Sequence, residues 1–306
     1  MSLVEPPQDA RGAARLAWAR AASGRPSLQL QRASSDAGFR SYWRGAVAGE
    51  QATCIVMDSP PALEDVRPWL ALQVVLQAGG VRVPRVHAKD ADTGFVLLED
   101  LGSQTFLDLI NADNADALFD QALTQLLRLQ ALAPPPGLPS YDRPLLAAEL
   151  ALFDQWFLGR HLGLTLSDRE ADALRTVQRA LVEAALAQPQ LLVHRDFMPR
   201  NLMPSDGAAV VLDFQDAVRG PLAYDVLSLF KDAFLSWPES RVEQWVARYH
   251  QRAQEQGLPV PGFETFRRDL DFIGVHRHLK VLGIFARLHH RDDKPRYLAD
   301  GRRFIA

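Results

Sequence analysis

Asp196, Asn201 and Asp213 are the residues of this chain whose types and spacing could do chemistry. His194-Arg195-Asp196 is followed five residues after the Asp by Asn201, and Asp213-Phe214-Gln215 lies twelve residues further on. Each piece follows a short apolar run, 191–193 and 208–212, of the kind that makes buried strands. Pro204-Ser205-Asp206-Gly207 between them is rich in turn-setting residues. The order strand, loop, short strand, tight turn, strand brings three oxygen-bearing side chains to one end of a small sheet. Mg²⁺ takes hard oxygen ligands, one or two from the protein and the rest from phosphates and water. Asn201 and Asp213 offer a neutral and a charged oxygen, which leaves Asp196 to orient an acceptor hydroxyl and take its proton. Phosphoryl transfer is the chemistry this set suits. A hairpin with polar residues at its ends would share the composition, but a second Asp at hairpin distance is not common.

The spacing H-R-D-x-x-x-x-N followed by D-F-x matches the catalytic loop and metal-binding segment of the kinase fold. The elements needed to position it can be read along the chain. Residues 9–22 read as a helix stopped by Ser23-Gly24-Arg25-Pro26, with Arg11, Arg15 and Arg20 on its wet side. Three strand-like runs follow, 27–32, 41–47 and 52–57. The loop at 34–40 has small residues that would let backbone N–H groups approach phosphates, or would equally make a plain hairpin turn. Pro60-Pro61 opens a helix over 63–78 with Glu64 and Asp65 in its first turn. Two strands, 85–88 and 94–98, lead to Glu99-Asp100-Leu101-Gly102. That connection would serve as a hinge offering backbone groups to adenine, or as an ordinary strand-to-helix link. Helices are expected over 105–132, 149–162, 168–187 (with Ser167 and Glu170 as a capping box), 241–256 and 263–290. A further helix begins near Asp225, which either complements the helix dipole or anchors the catalytic loop through backbone N–H groups or His194.

At 306 residues the chain is comfortable as two lobes, and 47% apolar with 23% charged residues is ordinary for a globular protein. A net charge of −3 gives no reason to expect nucleic acid or membrane as a partner. One cysteine, Cys54, excludes an intramolecular disulfide and fits a reducing compartment. No run approaches the roughly 18–20 apolar residues that span a bilayer, and no apolar core near the N-terminus reads as a secretory signal. A cytoplasmic monomer is expected.

The string His194-Arg195-Asp196, Asn201, Leu212-Asp213-Phe214-Gln215-Asp216 and Gly220-Pro221-Leu222-Ala223-Tyr224-Asp225, with this order of elements, resembles the aminoglycoside phosphotransferase and choline kinase superfamily. Within it the chain is similar to bacterial cell-wall-recycling sugar kinases, which phosphorylate N-acetylmuramate and N-acetylglucosamine at the anomeric hydroxyl. The stretches 34–44, 55–61, 96–102 and 277–297 carry this closer likeness. The resemblance implies an α+β, protein-kinase-like fold with an N-lobe over 1–101 and a mostly helical C-lobe over 102–306. It implies ATP and Mg²⁺, Asp196 as catalytic base, and Asn201 and Asp213 as metal ligands. It implies a nucleotide cleft between the loop bearing Ser34, Ser35, Gly38, Phe39 and Arg40 and the connection at Glu99 and Leu101, with His194 and Asp225 in support. One departure stands out: such kinases usually carry a Lys on the third strand, and this chain has none between residues 1 and 88. Arg40 or Arg44 would supply the cation, with Arg44 preferred, or backbone N–H groups and Mg²⁺ would suffice.

The last fifty residues hold ten Lys and Arg against six Asp and Glu, a local +4 in a chain of net −3. In kinases of this build the C-terminal helices wall the acceptor pocket. A polycationic aminoglycoside would need acidic walls, whereas the lactyl carboxylate of a muramic acid would welcome a cation. In the last long helix Phe272, Val275, Leu279, Leu282 and Ala286 form the expected core stripe. Beside it His276, Lys280, Gly283 and Arg287 form either a solvated basic face or a pocket edge at which Gly283 leaves room for a sugar. A small amino sugar is thus the expected partner. A kinase for another small alcohol and a nucleotide-binding scaffold without activity are the competing readings.

Overall fold

A computed structural model describes residues 8–35 and 39–301. Its N-lobe is built from α1 (Gln8–Ser23), β1 (Gln29–Ser35), β2 (Ser41–Ala46), β3 (Cys54–Asp58), α2 (Arg67–Ala78), β4 (Val86–Asp90) and β5 (Phe95–Glu99). The strands form one antiparallel sheet in the order β1-β2-β3-β5-β4. Side chains alternate across a strand, so the apolar runs of β3 and β5 serve two cores. Cys54, Val56 and Leu97 pack with Ala19 of α1 on one face, and Met57, Val96 and Leu98 with Trp69, Leu72 and Leu76 of α2 on the other. By the same alternation Asp58 faces α1, where it is buried and accepts from Arg11 Nε at 2.9 Å and Arg15 Nη1 at 2.8 Å. Two of the arginines expected on a wet face therefore tie α1 to the sheet. The positions of β3 on the α2 side, Ile55 and Met57, are apolar, so this strand supplies no cation.

Helix α2 starts at Arg67 rather than 63. Residues 60–64 close their own turn, with Leu63 N and Glu64 N both donating to Pro60 O, and Pro68 stands in the first helical turn. Glu64 is thereby left outside the helix.

The C-lobe contains α3 (Phe106–Leu109), α4 (Ala115–Ala131), α5 (Arg143–Leu152), α6 (Asp168–Ala187), β6 (Gln190–Val193), β7 (Leu202–Ser205), β8 (Ala208–Val211), β9 (Val218–Pro221), α7 (Ala223–Phe230), α8 (Glu239–Glu255), α9 (Phe263–Asp292) and α10 (Arg296–Asp300). The helix expected over 105–132 is broken because Asn111 and Asn114 side chains accept from nearby backbone N–H groups, which offers the chain an alternative to helix. Helix α5 begins earlier than expected, capped by Asp142 accepting from Leu145 N, and continues into a π-helical segment, Phe153–His161. Ser167 and Glu170 form the expected capping box of α6.

The expected single small sheet is two. β7 and β8 make a hairpin through Asp206-Gly207, both at positive φ, while β6 pairs with β9. Helix α9 runs through the lobe against α5, the π segment, α6, α7 and α10. With neighbours on so many sides its buried set is wide, including Ile273, Arg277, Lys280, Val281 and Phe285, and the expected core residue Val275 is exposed. Among the described residues no helix is long and apolar enough to cross a membrane.

Candidate active site

The loop after β6 is shaped by one buried carboxylate. Asp225, in the first turn of α7, accepts from His194 N at 2.7 Å and from Arg195 N at 3.0 Å. Those two bonds hold Arg195 at φ 75°, a left-handed conformation that bends the chain sharply. Burial pushes Asp225 up to about 6, against the lowering influence of the His194 and Arg195 N–H bonds. The His194 ring accepts from Asp196 N through Nδ1 at 3.2 Å and donates from Nε2 to Leu212 O at 2.8 Å, which fixes the tautomer and ties the loop to the end of β8.

Asp196, Asn201 and Asp213 line one cavity of about 650 Å³ between the lobes. The Asp196 side chain is 40% exposed, open to small molecules in the cavity, and its carboxylate lies 3.8 Å from Arg277. Burial raises its pKa, but Arg277 and Lys280 more than offset this and leave it below the usual range, hence ionised at neutral pH. Asn201 donates from Nδ2 to Asp196 O at 2.9 Å, which turns its amide oxygen into the acceptor still on offer. Asp213 sits at φ 60° and accepts from Gln215 Nε2 at 2.7 Å. Among the described residues no group of three or more His, Cys, Asp or Glu could hold a metal ion. The donor set of Asn201 and Asp213 fits a hard cation that draws its remaining ligands from phosphate and water.

The other sequence-derived positions divide. Ser34, Arg44, Glu99 and Leu101 line the cavity. Arg44 is engaged there, donating to Asp100 at 2.6 and 3.0 Å and to Gly102 O at 2.6 Å, so it fastens β2 to the connection between the lobes. Glu99 is gripped by the Arg82 fork and accepts from Arg85 N at 2.8 Å. Ser35 pairs with Ser41 at the end of the β1–β2 ladder. Phe39 is 62% exposed and does not line the cavity. Gly38 lies outside the described residues. Arg40 is buried and does not line the cavity, bonded to Glu64 and Gln215. Burial lowers its pKa, but Tyr42, Glu64 and Asp213 together hold it above its ordinary value.

On α9, Lys280 lines the cavity, its ammonium shared with Glu149 at 2.8 Å and Tyr224 Oη at 3.1 Å. His276 is fully buried away from it, hydrogen-bonded to Leu146 O at 3.1 Å and edge-on to Tyr141. Arg287 does not line it either. Gly283 leaves no room for a sugar: a Cβ there would meet the Leu152 carbonyl carbon at 2.4 Å, so the glycine permits close helix packing. Sequence reasoning missed Arg277. Its side chain is 5% exposed and lines the cavity, donating to Arg195 O at 3.0 Å and Tyr224 Oη at 3.2 Å. The cavity face of α9 is Arg277, Lys280, Val281, Ile284, Phe285 and Leu288, so of the expected stripe only Lys280 lies on it and the face is centred about one residue further along the helix. Behind it a polar cluster unites Glu149 with Lys280, Arg195 (2.5 Å) and the Tyr141 hydroxyl. Burial raises Glu149, yet Lys280 and Arg195 keep it below its ordinary value.

A sheet lobe over a helical lobe, with the Asp196, Asn201 and Asp213 side chains at the seam and only β9 between Asp213 and α7, is the architecture of a kinase-like phosphotransferase. Residues 29–265 match the phosphotransferase enzyme family, and the chain belongs to it. It is 54% identical over 282 residues to the N-acetylmuramate/N-acetylglucosamine kinase of Pseudomonas putida, covering 92% of this chain and 83% of that one. It is 40% identical to the protein of the same name from Neisseria meningitidis, covering 94% and 87%. Among solved structures, choline kinase LicA from Streptococcus pneumoniae superposes with a TM-score of 0.66 at 13% identity, covering 96% and 98%. The streptomycin–ATP–APH(2")-IIa ternary complex superposes with 0.62 at 14%, covering 99% of both chains.

Proposed function

We propose that this protein is an ATP- and Mg²⁺-dependent kinase that phosphorylates the anomeric hydroxyl of N-acetylmuramate, N-acetylglucosamine or both, in recycling of the cell wall. The observation that carries the reading is one cavity lined by an ionised acceptor-facing carboxylate, Asp196, by two hard oxygen donors, Asn201 and Asp213, and by Lys280 and Arg277. The names of the relatives at 40–54% identity support the sugar.

In this reading Asp196 aligns the sugar hydroxyl and accepts its proton as the phosphoryl group transfers. Asn201 and Asp213 hold Mg²⁺, which when bound neutralises charge developing on the phosphates. The adenine lies between the lobes against Leu98, Leu101, Met203 and Leu212, with backbone groups at 99–101 as its polar partners. Of the five Lys and Arg side chains on the wall, the four from the C-lobe, Arg200, Arg277, Lys280 and Lys294, favour an anionic acceptor over an aminoglycoside. Cys54, buried and free, accords with a cytoplasmic setting where ATP is available.

The test is ATP consumption over a panel of amino sugars, aminoglycosides and choline, with ³¹P NMR of the product. An anomeric phosphate on an N-acetylated amino sugar is expected, and turnover of only choline or aminoglycosides would overturn the reading. With both sugars turned over, Lys280→Ala should raise KM for N-acetylmuramate more than for N-acetylglucosamine. Equal losses would mean that Lys280 does not read the carboxylate.

A further inference from the structure

Arg40 belongs to the N-lobe, yet its side chain reaches the segment that carries Asp213. Its guanidinium is clamped by Glu64, with Nε to Oε2 at 3.1 Å and Nη2 to Oε1 at 3.0 Å, and donates from Nη1 to Gln215 Oε1 at 2.8 Å. Gln215 passes the constraint on, since its Nε2 donates to Asp213 Oδ1 at 2.7 Å. With the amide oxygen taken by Arg40 and the nitrogen by Asp213, Gln215 has one orientation that satisfies both ends. The Arg40 side chain is 9% exposed and is absent from the cavity wall; its hydrogen-bonded route to this carboxylate runs through Gln215, and its charge acts on the carboxylate as well. Glu64 is available for the clamp because the 60–64 turn keeps it out of α2. A second N-lobe contact secures the same segment, the Trp69 ring stacked on Phe214 with centroids 5.0 Å apart.

We propose that Arg40, held by Glu64, is a positioning residue for the cation-binding carboxylate: through Gln215 it fixes the rotation of Asp213, so that affinity for the metal–nucleotide complex depends on a residue that touches neither metal nor nucleotide. This rests on the reading of Asp213 as a cation ligand. The sheet offers no alternative at the usual place, because the α2-side positions of β3 are Ile55 and Met57. Partners that orient a ligating carboxylate typically change metal affinity by about 10–100-fold.

The experiment is calorimetric binding of the non-hydrolysable analogue AMP-PNP to the full chain, with and without Mg²⁺. Gln215→Ala removes the link, and Arg40→Lys keeps the charge but cannot span Glu64 and Gln215 at once, because it lacks the guanidinium fork. Each should weaken Mg²⁺–AMP-PNP by about 10-fold or more and metal-free AMP-PNP by less than about twofold. The double variant should be no weaker than the worse single one, since both break the same chain. Equal losses with and without Mg²⁺, additive losses, or unchanged binding would each overturn the proposal. Asp213→Asn separates it from the reading beneath it. If that variant loses the Mg²⁺-dependent gain while Arg40→Lys and Gln215→Ala keep it, only the Arg40 role fails. If Asp213→Asn keeps the gain, the cation assignment fails and the Arg40 role with it.

Discussion

Asp196 illustrates how far a single carboxylate is set by its neighbours. Burial alone would favour the protonated form, which could not accept a proton. Arg277 and Lys280 reverse that balance and keep it ionised. A base held below its ordinary pKa is weak, so in the proposed reaction its contribution would be orientation first and proton acceptance late, as the oxygen bonds to phosphorus. Replacement by Asn preserves shape and one hydrogen-bond acceptor but removes the charge and the proton acceptance. Asp196→Asn is expected to lower kcat by about 10²–10⁴-fold. The melting temperature should fall only modestly: the attraction to Arg277 and Lys280 is lost, but the carboxylate is 40% exposed and stands 3.8 Å from Arg277, beyond a hydrogen bond. Activity assays beside a thermal melt check this, and a large drop in melting temperature would mean the residue is structural. Asp196, Asn201 and Asp213 could be picked out in the sequence because one short stretch of chain carries all three. Arg277 could not, because it reaches the site from a helix that begins fifty residues after Asp213, and one step around that helix separates a cavity-facing residue from a buried one.

At the scale of elements, the decisive contact is the crossing of α9 over α5. Gly283 lets the backbone of α9 meet the backbone at Leu152, where α5 gives way to the π-helical segment. The π turns then pack Phe157 on Leu282 and Ala286. In an exposed helix Gly→Ala gains about 1 kcal/mol. Here the added methyl would stand 2.4–2.6 Å from backbone atoms of Leu152 and Phe153, which cannot rotate away as a side-chain tip could. The sign should therefore invert, with Gly283→Ala costing about 1–3 kcal/mol as overpacking does. Denaturant unfolding measures it, and a stabilised variant would show that the two helices separate easily. Periodicity revealed the long helices and the capping box at Ser167. It could not reveal the break at Asn111, the late start of α2, or β9, whose Arg-Gly-Pro run looks like loop and becomes strand only because β6 lies beside it. Gly283 carried the opposite hazard: a glycine in a helix reads as space, whether the space is for ligand or for backbone.

Across the whole molecule the interior is unusually polar along α9, and its titrating groups pull stability in opposite directions with pH. Burial pushes His276 and His278 down to about 4 from an ordinary value near 6.5. The folded chain thus stays neutral at these rings while the unfolded chain takes protons. Their contribution is present above about 6.5 and is lost as pH falls through 4. Asp225 and Asp232 are raised by burial to about 6. They take protons in the folded chain first, so their contribution is complete below the ordinary carboxylate value and fades as pH rises through 6. In the intact protein the two effects oppose each other between pH 4 and 6. Removing the histidines should expose the carboxylate limb. A His276→Gln/His278→Gln variant is expected to be less stable than the parent at pH 7 but to close that gap on acidification. The gain should be on the order of 1.4 kcal/mol per pH unit for each ring over the range where only the unfolded chain is protonated. Urea midpoints at pH 7, 6, 5 and 4.5 follow the gap. If it stays constant, both rings titrate as they would in water, and the packing of α9 against Leu146 and Lys231 does not exclude their charged forms.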